Sequence, residues 1–130
     1  MQDPCSIVRN RGMGEMIRYI LKETCEDFRD VNPRLEHNYC CGAGSGVINY
    51  GPPWKLVRME SGRTKMKQLK ATGAKIVIAP CHSCHKTIEE MIQHYKQDMH
   101  VMFINELLVQ TMEIPDALKV VKEPKKENSE

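Results

Sequence analysis

The feature that most constrains this chain is the placement of its cysteines. Cys5 is followed by 34 residues, then the adjacent pair Cys40-Cys41, then 39 residues, then Cys81-x-x-Cys84. Thiols spaced like this can act together only if the fold returns three distant loops to one place. A sixth cysteine, Cys25, falls inside a helical pattern and reads as a small core residue.

The elements around the cysteines suit such a return. Apolar residues Met16, Ile17, Ile20, Leu21 and Phe28 recur at helical spacing over 14–30, and Asn32-Pro33 is the expected stop. Residues 34–39 read as a short strand leading into Cys40. Helical spacing resumes over 54–72, with Leu56, Met59, Met66 and Leu69 on one side and Gly73 as the stop. The β-branched run 75–79 is the clearest strand, and Pro80 ends it before Cys81. Cys84, Ile88, Met91, Ile92 and Tyr95 mark a third helix, and 101–103 and 104–112 read as a strand and a last helix.

Strands alternating with helices imply βαβ units. The expected fold is α/β, a small parallel sheet with flanking helices and the cysteine-bearing loops gathered at one edge. Residues 1–115 form the expected domain and 116–130 a polar, solvated tail. A strand should precede the Cys5 loop in this architecture, yet four residues do, so the chain reads as a C-terminal piece of a longer protein.

Composition narrows the function. A net charge of +2 with aromatics at 5% does not describe a nucleic-acid surface. No apolar run is long enough to span a membrane, and no secretory signal opens the chain, so direct membrane insertion is not expected and a cytoplasmic location is. In that compartment six cysteines point to metal or redox chemistry rather than disulfides. Nine methionines read as flexible core filler.

Cys5, Cys40, Cys41, Cys81 and Cys84 are the candidate metal ligands, on an iron–sulfur cluster. Cys84 would sit in the first turn of its helix, where the dipole favours a thiolate. Gly42, Gly44 and Gly46 would let backbone N–H groups approach an anionic cofactor. A tetrahedral zinc site needs four thiolates, or three with His82 or His85, and five is one too many. Cys81-His82-Ser83-Cys84-His85 matches the haem-attachment pattern, and the same CxxC matches a thioredoxin-like pair, but both leave three thiols unexplained. The Gly-rich loop fits neither a P-loop nor a dinucleotide fingerprint. His82 and His85 are the candidate catalytic residues, as proton donors to a departing thiolate or partners of a cluster sulfur. His37, His94 and His100 are isolated.

Asp3-Pro4-Cys5, Cys40-Cys41-Gly42 and Cys81-x-x-Cys84 together resemble the CCG cysteine-rich domain of heterodisulfide reductase catalytic subunits, over about residues 3 to 115. The same domain occurs in iron–sulfur subunits of glycolate oxidase and of membrane redox complexes in sulfate-reducing bacteria. The segment from Tyr39 to Asn49 is most similar to that last branch. The resemblance implies that the five cysteines hold a 4Fe–4S centre, cubane or non-cubane, that passes electrons to a disulfide. It implies partner iron–sulfur domains or subunits beside a membrane cytochrome b, and hence a peripheral position at the inner membrane. The alternatives are an electron relay with no substrate of its own and a structural zinc module, zinc also being the metal taken up during aerobic purification. The chain departs from the family in carrying Gln2 where His is frequent, and in having one cysteine-rich half where many members have two.

Overall fold

A computed structural model describes residues 1–113. The expected tail and the boundary at 115 lie outside the described residues. Four helices and two strands are present among these: α1 (Gly14–Thr24), α2 (Pro52–Ala71), β1 (Ile76–Ile78), α3 (His82–His94), β2 (His100–Met102) and α4 (Ile104–Thr111).

The strands are parallel, with Ile76 opposite His100, Val77 opposite Val101 and Ile78 opposite Met102. α3 is therefore the crossover of a βαβ unit, and the fold is the expected α/β one with a small parallel sheet and flanking helices. The sheet separates two apolar layers. On one side Val77 joins Met59, Met66 and Leu69 of α2 and Cys84, Ile88 and Met91 of α3. On the other, Ile78 packs with Met1 and with Ile17 and Leu21 of α1. Three of the nine methionines fill the first layer, in keeping with core filler.

The Gln2 N–H donates to the Ile78 carbonyl at 2.8 Å, and Met1 to Pro4 are all buried. The first residues thus lie alongside β1 in the place of a strand, and Cys5 leaves them in a wide helical turn, Cys5–Arg9.

Several expectations need correction. Residues 34–39 are not a strand: Leu35–His37 form a single 3-10 turn. Leu35 has φ +57°, and its N–H is taken by the Asp3 carboxylate at 2.8 Å rather than by a neighbouring strand. α1 ends at Thr24, well before Asn32-Pro33. The Thr24 hydroxyl donates back to the Ile20 carbonyl at 2.9 Å and Cys25 turns extended, so Cys25 caps the helix end instead of lying mid-helix. Met16 and Leu56, placed on the apolar stripes of α1 and α2, are exposed. The face α2 buries instead runs through Arg58, Met59, Gly62, Lys65, Met66 and Leu69.

The boundaries of α2 follow local chemistry. Pro52 and Pro53 occupy its first turn, where a missing N–H costs nothing, and Gly73 at φ +68° lets the chain leave after Thr72. No described helix is long and apolar enough to cross a membrane.

Candidate metal centre

Cys41 and Cys84 meet where the loop before α2 reaches the start of α3, with the N-terminal segment alongside through Gln2. The Cys41 Sγ donates to the Cys84 Sγ at 3.2 Å. The Cys40 thiol lies close enough to Cys41 and Cys5 for both to act on its titration. Cys81 sits at the N-cap of α3, and its side chain packs against the core cluster that contains Cys41 and Cys84. Cys41 and Cys84 are buried, Cys81 is half-buried, and Cys5 and Cys40 are exposed. The group therefore has a closed floor and an open mouth.

What holds these segments is a buried polar network that hydrophobic periodicity does not reveal. Arg18 of α1 grips Asp3 with two bonds of 2.8 Å and reaches Asp30 at 2.6 Å. Burial opposes the guanidinium charge, but the bonds to Asp3 and Asp30 outweigh it and raise the Arg18 pKa. Asp3 also accepts the Leu35 N–H, and its carbonyl accepts from the Asn38 amide at 3.2 Å. Asn38 is in turn bound by Lys65, which also donates to Gln68. One network thus ties the residues before Cys5, the residues before Cys40 and the middle of α2 into a fixed frame.

The glycines act mainly through close approach. Gly42, at φ +85°, donates its N–H to the Cys40 Sγ at 3.4 Å. A Cβ there would lie 2.7 Å from the Arg58 carbonyl and 2.8 Å from the Gly62 nitrogen, both backbone atoms of α2. A Cβ on Gly62 would lie 2.9 Å from the Cys41 carbonyl. The loop carrying the cysteine pair is therefore pressed directly onto the α2 backbone. Gly44, at φ +63°, turns over Val47, while a Cβ on Gly46 would meet open space.

Burial and neighbouring sulfurs set the electrostatics of these thiols. Donation to Cys41 and then burial raise the Cys40 pKa. For Cys41, the bond from Cys40 favours the thiolate, but the contact with Cys84 and burial prevail and push it up to about 12. Lys65 is fully buried, and desolvation brings its ammonium down to about 8 against the opposing fields of Asp3, Cys41, Cys84 and Cys40. The Gln2 amide lies 3.8 Å from the Cys84 Sγ, while its Oε1 is buried without a partner.

The rings of His82 and His85 stack on Phe103, with centroids 6.3 and 4.0 Å away. His37, His94 and His100 are exposed, as their isolation implies. Sequence reasoning missed Asp3, Arg18, Asn38 and Lys65 as supporting residues. The available signal was that Arg58, Gly62, Lys65 and Leu69 share one α2 face at helical spacing.

A model of the CCG family, described as a cysteine-rich domain, matches residues 1–89. This chain belongs to the CCG cysteine-rich domain family. Among similar proteins, the Hdr-like menaquinol oxidoreductase iron-sulfur subunit of Archaeoglobus profundus is 33% identical over 85 residues, covering 61% of this chain and 15% of that protein. A subunit of the dihydromethanophenazine:CoB–CoM heterodisulfide reductase of Methanosarcina barkeri is 31% identical over 111 residues, covering 85% of this chain and 26% of its own. The Hdr-like menaquinol oxidoreductase iron-sulfur subunit 2 of Archaeoglobus fulgidus is 26% identical over 105 residues, covering 76% and 19%. This CCG domain thus spans about a quarter or less of the curated relatives it matches. No solved structure matches.

The donor set of this CCG domain fits an iron–sulfur group in its chemistry: five soft sulfur donors, two of them in contact at 3.2 Å. Among the described residues, no three or more His, Cys, Asp or Glu side chains are grouped to hold a single metal ion.

Proposed function

We propose that Cys5, Cys40, Cys41, Cys81 and Cys84 hold an iron–sulfur cluster, and that the chain is the cluster-binding part of a heterodisulfide-reductase-like oxidoreductase. The observation that carries this reading is the 3.2 Å contact between the buried Cys41 and Cys84, with Cys81 at the N-cap of the helix that carries Cys84 and with Cys5 and Cys40 exposed. The names of the relatives, iron–sulfur subunits and a heterodisulfide reductase component, support it.

Reduction of a disulfide takes two electrons and two protons and yields two thiols. When bound, a cluster of 4Fe–4S type, cubane or not, supplies one-electron transfer and an iron to which a substrate sulfur can attach. The protein's own residues do the rest. Cys41 and Cys84 form the dry floor, and Cys5 and Cys40 line the open side through which a disulfide would arrive. The Gly42 N–H and the Gln2 amide donate to sulfur and disperse its negative charge. His82 or His85 delivers a proton to the departing thiolate, their rings held by Phe103. Electrons would come from neighbouring iron–sulfur domains or subunits of a redox complex, with a membrane cytochrome b among them.

The test is EPR on protein prepared without oxygen. A substrate-binding centre gives a signal that changes when a thiol or disulfide is added, and His82→Ala with His85→Ala slows disulfide reduction. A signal indifferent to thiols would reduce the chain to an electron relay, and undiminished reduction in the histidine variants would remove their role.

A further inference from the structure

Lys65 poses a problem that the fold does not answer. Its side chain is fully buried in the middle of α2. Its hydrogen-bond partners are two neutral amide oxygens, those of Asn38 and Gln68, and it makes no ion pair among the described residues. The nearby carboxylate of Asp3 is already committed, through both oxygens, to Arg18. Burying an ammonium without a counter-ion is strongly unfavourable, so such charges are normally paired. An apolar residue at this position would pack at less cost.

Beyond Asp3, the groups near Lys65 that can carry negative charge are sulfurs. Desolvation favours loss of the Lys65 proton, and Asp3, then Cys41, Cys84 and Cys40, act in the direction of holding it. The backbone gives the reason. Gly62, one turn before Lys65 on the same α2 face, lies against the Cys41 carbonyl, and Asn38 stands two residues before Cys40. The frame that ties the residues before the cysteine pair to α2 therefore also holds one cation close to the loop that carries them.

We propose that Lys65 is the counter-charge of the cysteine centre, a positioning residue that acts through its field to stabilise the reduced state and so sets the reduction potential. The inference rests on the cluster reading above, which it deepens. An added electron makes the centre more negative, and a fixed cation beneath it favours that state. The two amides hold the ammonium in place without neutralising it.

The experiment is an EPR-monitored redox titration of the full chain reconstituted with iron and sulfide without oxygen, comparing wild type, Lys65→Gln and Lys65→Arg. Gln keeps hydrogen-bond donors and loses the charge, while Arg keeps the charge. Lys65→Gln is expected to shift the one-electron reduction equilibrium towards the oxidised form about tenfold or more, a fall of about 59 mV in midpoint. Lys65→Arg stays within about threefold of wild type on the same scale. An unchanged potential in Lys65→Gln, or an equal fall in Lys65→Arg, overturns the proposal. Retention of the cluster in Lys65→Arg with its loss in Lys65→Gln supports the need for charge. Loss from both variants makes Lys65 a packing element and overturns the proposal as well. A wild-type chain that takes up neither iron nor sulfide is a different result, because it removes the cluster reading itself.

Discussion

Replacing Gly42 by alanine tests how the cysteine pair is positioned. Two separate costs follow from the structure. Gly42 has φ +85°, where an L side chain is strained by about 1–2 kcal/mol. The new Cβ would also meet the Arg58 carbonyl at 2.7 Å and the Gly62 nitrogen and Cα at 2.8 and 2.9 Å. These are backbone atoms of a long helix and cannot step aside like the end of a flexible side chain, so overpacking adds about 1–3 kcal/mol. The sum is about 2–5 kcal/mol, from the two ranges just given. Gly12 supplies the control, since it has φ +64° and a Cβ there meets nothing within 4 Å. Gly12→Ala should cost the strain alone, about 1–2 kcal/mol. Both changes reduce the freedom of the unfolded chain equally, so that contribution cancels in the comparison. Urea unfolding of the two variants and wild type gives the difference, and the iron bound after reconstitution shows whether the loop still presents Cys40 and Cys41. Equal destabilisation at the two glycines would refute the argument that Gly42 exists for contact with α2.

Other expectations follow from the same geometry. Asp3→Asn leaves the buried Arg18 with Asp30 as its one remaining carboxylate, and should cost about 3–5 kcal/mol in a denaturant titration. A loss near zero would show that the network is not what fixes the N-terminal segment. The Cys41 thiol, pushed up to about 12 from 9, keeps its proton in the folded state after the unfolded chain has lost it. Without metal, stability from this group is complete below pH 9 and is lost as pH rises towards 12, and Cys41→Ser should flatten that slope. Cys25→Ser lies at the end of α1 in the second apolar layer, so iron and sulfide content should match wild type while stability falls modestly. Loss of iron would make Cys25 a ligand.

How much of this was legible in the sequence depended on what each signal measures. The run 75–79 and the stripe Cys84, Ile88, Met91 are apolar on a buried face, and the strand and α3 stand close to where periodicity puts them. The spacing of the cysteines suggested loops gathered at one sheet edge; Cys41 and Cys84 do touch, but neither Cys5 nor Cys40 follows a strand, so shared βα loops do not account for their positions. Residues 34–39 misled because alternation was read where a side chain, the Asp3 carboxylate, takes the backbone donor that a strand would use. Apolar counting also passed over Arg18 and Lys65, since a charge normally marks a solvated face. They are buried here because a chain of partners separated by up to 35 residues satisfies them, and no local window contains such a chain. Gly42 was legible as a conformational residue, but the helix pressed against it was not, because that contact joins loop and helix in space.

The central claim is that these cysteines hold an iron–sulfur cluster, and the most direct measurement is the iron and acid-labile sulfide content of protein prepared or reconstituted without oxygen, beside its Cys41→Ser variant. The account predicts about four irons and four sulfides per chain, falling sharply in the variant. One zinc per chain with no sulfide, unchanged by the substitution, would contradict it.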